Sequence, residues 1–213
     1  MIKEELKNLL ISFKEDDFCK NVDLHIHSCE SDGKMTPYEI IEQAAKTGKK
    51  YISICDHNTI EAYLSTNILK EKIIIPGIEF DCYYKGFLIH ILGYGFNIDN
   101  KDITGLYSQS KAGRKCKIYR FFNLRKPKEV IEKIKEAGGI AVLAHPACCR
   151  CFNLNSLVKD LVILGLEGIE VYYPYNGLRG ILKFHSQKEV LDIAQKYNLI
   201  KTGGTDSHGI KLL

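Results

Sequence analysis

Seven short β-rich runs alternating with amphipathic helical patterns predict an α/β fold. Six of the seven histidines fall at or just beyond the C-terminal ends of those runs, which places the chemistry at one end of the sheet. The runs are Val22–His27, Tyr51–Cys55, Ile73–Ile78, Phe87–Leu92, Ile140–Ala144, Gly168–Tyr172 and Leu199–Thr202. With 213 residues the chain is long enough for one sizeable core, so a single domain over 1–213 is expected.

An N-terminal helix over Lys3–Phe13, within a segment spanning 1–20, precedes the first strand. Thr36–Thr47 opens with Thr-Pro, places Ile40, Ile41, Ala44 and Ala45 at helical spacing and stops at Gly48. Ile73–Leu92 contains two strands separated only by Tyr83–Gly86, which predicts a hairpin. Asn97–Lys126 is the least regular stretch. Lys111–Lys128 gathers eight basic residues with Tyr119, Phe121 and Phe122 between them, a composition able to grip phosphates or stack bases. Pro127–Ala137, Asn155–Leu164 and Phe184–Tyr197 read as helices, the last containing His185 as a structural residue.

Hydrophobic content of 45% and charged content of 26% are those of a globular protein and exclude a disordered chain. A net charge of +4 does not by itself call for nucleic acid but suits an anionic substrate. The charged N-terminus does not resemble a signal peptide and no apolar run reaches membrane-spanning length, so a cytoplasmic protein without a membrane partner is expected. Its eight cysteines are then reduced thiols. Cys148, Cys149 and Cys151 are the only tight group, and they lack the second ligand pair of a zinc finger.

In DLHIHSCESDG, His25 and His27 stand two apart on a strand, project from the same face and can chelate one ion. GGTDSHG repeats this spacing with Asp206 and His208, its glycines allowing close backbone approach to the ions. In SICDHNT, neighbouring Asp56 and His57 cannot both face the site from a regular strand, so His57 is the candidate ligand and Asp56 its support. Glu79, His90 and His145 each follow an apolar run. Ser28 lacks the context of a catalytic nucleophile and fits a turn. Imidazole and carboxylate donors without an obligatory thiolate suit manganese, iron or zinc.

In this order, DLHIHSCESDG, ICDHNT, PGIEF, IHILGY, AVLAHP, GIEVYY and TGGTDSHG resemble the polymerase and histidinol phosphatase (PHP) superfamily, most closely its small nucleotide and oligoribonucleotide phosphatases. The resemblance runs from about Val22 to Gly209. It implies a distorted seven-stranded (β/α) barrel of TIM-like form, in agreement with the strand count, and a trinuclear metal site. It also implies His25, His27, Glu79 and Asp206 on one ion, Glu79, His90 and His145 on a second, and Asp32, His57 and His208 on a third. Two departures stand out: the insertion before His145 is shortened to 97–126, and the arginine common after His-Pro is displaced to Arg150.

The implied reaction is hydrolysis of a phosphomonoester on a small metabolite or nucleotide by a metal-bridging hydroxide, with two to three divalent ions. Asp56 and His208 are candidates for catalytic roles. Arg114, Arg120, Arg150 and Arg179 are candidates to clamp the phosphate. Trimming of short oligonucleotides and a non-catalytic metal-bearing module are the alternatives.

Overall fold

The computed structural model describes residues 2–175 and 184–212. Its strands are β1 (Val22–Ile26), β2 (Tyr51–Ile54), β3 (Gly77–Tyr84), β4 (Phe87–Tyr94), β5 (Ile140–Leu143), β6 (Gly168–Tyr172) and β7 (Ile200–Gly203). The helices are α1 (Lys3–Ser12), α2 (Glu15–Lys20), α3 (Pro37–Lys46), α4 (Glu61–Leu64), α5 (Lys101–Thr104), α6 (Lys111–Lys115), α7 (Lys117–Phe122), α8 (Pro127–Glu136), α9 (Leu154–Ile163) and α10 (Gln187–Lys196).

The α/β alternation holds, but the closed seven-stranded barrel expected from the resemblance does not form. β1 and β2 make a parallel two-stranded sheet, while β3-β4-β5-β6-β7 make a separate mixed sheet. Pairing is antiparallel at β3/β4 and β4/β5 and parallel from β5 to β7. Among the described residues, the ladders of the two sheets are joined by isolated bridges: Ile26 with Ser207 on one seam, Ile52 with Ile74 and His57 with Glu79 on the other. Local chemistry interrupts each seam. Pro76, which has no N–H to give, follows the segment facing β2. On the opposite seam, a Cβ at Gly204 would fall 2.4 Å from His25 N, and Asp206 leaves the extended region at φ 49°.

The third strand also starts later than its apolar run suggests. The expected Ile73–Ile78 gives way to Gly77–Tyr84, because pairing with β4 runs unbroken from Gly77 opposite Tyr94 to Tyr84 opposite Phe87. Lys85 and Gly86 close this hairpin with φ of 48° and 92°, the positive pair that a tight two-residue turn requires. Helix ends match their sequence signals. At α3, Thr36 Oγ1 accepts from Glu39 N while the Glu39 carboxylate accepts from Thr36 N. His185, expected inside a helix, lies just before α10, which Ser186 caps from outside.

Side chains alternate across β4, so His90, Leu92 and Tyr94 share one face. Leu92 and Tyr94 join Ile140, Val142, Ile200, Leu24 and the α1 residues Leu6 and Leu10 in one buried cluster. Each such aliphatic side chain contributes about 1.5–3 kcal/mol by burial. α1 thereby closes one end of this face, and the other end carries the polar residues described next. The reverse face packs Ile89, Ile91, Ala141 and Leu143 in the cluster that includes Val130, Ile131 and Ile134 of α8 and Leu154, Val158 and Leu161 of α9. No helix among the described residues is long and apolar enough to cross a membrane.

Candidate metal centre

The nine residues singled out as ligands converge, though they come from six of the strands or the loops after them. His25 lies in β1, His27 follows it, Glu79 and His90 stand diagonally across the β3–β4 hairpin, and the others sit on loops. Glu79 is the hub. Its Oε2 lies 3.5 Å from His25 Nε2, 3.3 Å from His27 Nε2 and 3.2 Å from His57 Nδ1. Its Oε1 lies 2.8 Å from His90 Nδ1 and 3.1 Å from His145 Nε2. Asp206 Oδ1 is 3.0 Å from His27 Nε2, and Asp32 Oδ1 is 3.1 Å from His208 Nε2.

Three overlapping groups have donor atoms within 4.8 Å of one another: His25, His27 and Asp206; His57, Glu79 and His90; and His27, Asp32, His57 and His208. The grouping differs from that implied by the resemblance, since His27 and His57 are each shared.

Three buried carboxylates escaped sequence reasoning as structural supports. Glu170 accepts from the His145 N–H at 2.7 Å and pairs with His25 Nδ1 at 3.0 Å, turning His25 Nε2 toward the cluster. Asp23 accepts from Thr205 N at 2.9 Å and from its hydroxyl at 2.7 Å. Asp81 lies 3.3 Å from His57 Nδ1 and 3.2 Å from His90 Nε2. Only its position two residues after Glu79 on β3 could have signalled it. Tyr173 adds a hydroxyl donated to Asp206 Oδ2 at 2.9 Å.

The Asp56 carboxylate braces the turn after His27. Its Oδ1 accepts from Ser28 N at 2.8 Å and from Ser31 Oγ, and its Oδ2 from Ser28 Oγ, tying down the turn between His27 and Asp32. Within GGTDSHG, Gly204 packs against the His25 backbone. His145 and Asp206 hold left-handed backbones, φ 28° and 49°, a strain that surrounding contacts must sustain.

The cluster is electrostatically coupled. Burial opposes protonation of His27, yet hydrogen bonds to Asp206 and Glu79 outweigh it and raise its pKa to about 9. His90 is likewise raised to about 10 against the cost of burial by Glu79 and Asp81, and His25 is raised by Glu170, Asp206 and Glu79. His57 goes the other way, because burial outweighs its carboxylate neighbours. Burial also opposes ionisation of Glu79, Asp206 and Asp32, but the facing imidazoles hold all three well below the usual carboxylate range.

The four arginines separate. Arg120 is buried and donates through Nη1 to Asp32 Oδ2 at 2.8 Å. Arg114 pairs with Glu61 at 3.3 Å, and Arg150 lies over the Phe184 ring at 5.7 Å. Arg179 lies outside the described residues. None of the seven described cysteines joins a metal-ligand group among the described residues.

These residues fit divalent ions. His57 Nδ1 and Asp32 Oδ1 are buried and aligned for no hydrogen bond, although a carboxylate oxygen and an imidazole nitrogen lie 3.2 and 3.1 Å away. Such convergence is costly unless a shared cation satisfies it.

No family model matches the chain. It is 24% identical to a phosphoribosyl 1,2-cyclic phosphate 1,2-diphosphodiesterase of Eggerthella lenta, over 88% of this chain and 94% of that protein. It is 30% identical to a 5'-3' exoribonuclease of Haemophilus influenzae, over 66% of this chain and 51% of that protein. Its fold is similar to that of a solved metal-dependent phosphoesterase structure from Bifidobacterium adolescentis, with a TM-score of 0.73 and 20% identity over 89% of this chain and 88% of that one. Motifs, ligand geometry and relatives point the same way: the chain resembles PHP-like metal-dependent phosphoesterases.

Proposed function

We propose that this chain hydrolyses a phosphoester with the help of three divalent ions, its substrate a terminal phosphomonoester on a small phosphorylated metabolite or nucleotide. The observation that carries the reading is the convergence of eight donor side chains into three overlapping groups, with His145 beside Glu79 and a buried arginine on one group. His25, His27 and Asp206 would hold one ion, His57, Glu79 and His90 another, and Asp32 and His208 a third with the shared histidines.

Bound divalent ions supply Lewis acidity and lower the pKa of water toward neutrality. The chain's own residues do the rest. Glu79, fixed by the β3–β4 ladder, joins the groups. Glu170 orients His25, and Asp56 positions the loop bearing Asp32. Arg120 offers a guanidinium whose fork matches phosphate oxygens.

Protein reconstituted with manganese, iron or zinc is expected to turn over members of a phosphomonoester and nucleotide panel. Absence of turnover on every member, with metal bound, would overturn the reading.

One observation favours a second reading, the trimming of short oligonucleotides. Ile118, Tyr119, Phe121 and Phe122 stand 56–78% exposed around buried Arg120. Aromatic stacking contributes about 1–3 kcal/mol per base. Release of mononucleotides from a labelled oligomer, lost on changing Tyr119 and Phe122 to Ala, would support this alternative, and unchanged turnover would remove the segment from it.

A further inference from the structure

Asp81 belongs to no ligand motif, yet it stands where two parts of the site meet. It lies two residues beyond Glu79 on β3, so both side chains leave the same face, and it sits directly opposite His90 in the ladder. Its Oδ1 faces His57 and His90. Its Oδ2 accepts from Asn58 Nδ2 and lies 3.4 Å from Arg120 Nε. Asn58 grips from both sides, since its Oδ1 also accepts from Asp81 N at 3.0 Å.

Arg120 is divided between two carboxylates, Asp81 and Asp32. It is the only buried residue of α7, at 5% exposure. The helix therefore inserts its arginine and leaves its other side chains outside. Asp32 belongs to a metal-ligand group, whereas Asp81 belongs to none of the three.

Resting on the phosphoesterase reading, we propose that Asp81 positions Arg120 for the substrate's phosphate, tethering the guanidinium over the site once Asp32 is committed to a metal ion. Asp32, if it held a divalent ion, would lose its charge for Arg120, and the guanidinium would be repelled from it. Asp81 then supplies the remaining charge-assisted contact, and it is held for this by Asn58, His57 and His90. Losing the tether frees α7, whose other side chains are already exposed.

The test compares Asp81→Asn and Arg120→Gln with the unaltered full chain, each loaded with manganese. Metal content is expected to hold in both variants, while affinity for inorganic phosphate falls about 10- to 100-fold, the range for loss of a hydrogen bond to a charged group. The double variant should be no weaker than the worse single one, because both changes break one contact. Trypsin should cut within Lys111–Lys117 faster in the loaded Asp81→Asn protein than in the unaltered one.

Loss of metal from Asp81→Asn in step with phosphate affinity would overturn the proposal, showing that the residue serves only His57 and His90. Unchanged phosphate affinity and unchanged trypsin protection would overturn it as well. If the unaltered loaded protein binds no phosphate but Asp81→Asn still exposes the segment to trypsin, the phosphoesterase reading fails and the tether stands.

Discussion

On the β3–β4 hairpin, Glu79, Asp81 and His90 stand on backbone paired residue by residue, whereas Asp32, His57, His145, Asp206 and His208 hang from loops beyond β1, β2, β5 and β7. The hairpin half is positioned chiefly by strand register. The loop half is pinned by buried carboxylates that accept backbone N–H groups from neighbouring loops: Asp56 from Ser28, Glu170 from His145 and Asp23 from Thr205. It also carries the left-handed backbones of Asn58, His145 and Asp206. Rigid strands set the centre of the cluster, and side-chain anchors draw the periphery onto it. The two halves should therefore respond differently to substitution.

The largest effect is expected at the centre. Glu79→Gln removes the carboxylate that faces His25, His27, His57, His90 and His145, and it should lower metal affinity beyond the roughly 100-fold typical of an outer partner. Elemental analysis after dialysis reads this directly. Retention of full metal content would show that the hairpin is not the centre.

Acid is the next strongest perturbation, acting on both halves through different groups. His27 and His90 hold protons up to about 9 and about 10 without metal, so ions must displace protons to bind. Metal affinity should fall roughly tenfold per pH unit for each proton displaced as the pH drops through the neutral range. Stability of the metal-free protein has the opposite sign. The raised histidines stabilise it fully below their ordinary pKa of about 6.5, and that contribution is lost as the pH rises through about 9 to 10. Calorimetry with and without metal should show the alkaline loss only in the metal-free protein.

Glu170→Gln tests a loop anchor that also touches a strand-borne ligand. A decrease of about 10- to 100-fold in metal affinity is expected, because His25 loses its orienting acceptor and His145 the partner of its strained N–H. Unchanged metal binding by titration calorimetry would return Glu170 to a packing role.

The same division explains what the sequence made legible. Histidine pairs at spacing two and single ligands after apolar runs required only strand periodicity, so His25, His27, Glu79 and His90 could be read as candidates. Seven strands were countable for the same reason. Their closure was not: Pro76 and the left-handed Asp206 stop ladders at seams between elements far apart in the chain. Asp81, Glu170 and Asp23 resemble ordinary strand carboxylates until folding buries them against loops from other strands. Arg120 stood out only as one of eight basic residues in Lys111–Lys128, and its burial follows from tertiary docking.

The smallest effect should come from Asp56→Asn, which isolates the loop half. Both Asp56 oxygens accept, from Ser28 N and from the hydroxyls of Ser28 and Ser31, and no hairpin residue shares them. An amide replaces one acceptor with a donor, so the Ser28–Ser31 turn must give up one of these contacts at a cost of about 1–3 kcal/mol. Asp32 follows that turn, while Glu79 and His90 remain in register. Metal titration should therefore show weakening confined to one class of site, about tenfold as expected for an outer partner. Equal weakening of every site would show that the hairpin depends on the loops, and the distinction between register-built and anchor-built halves would fall.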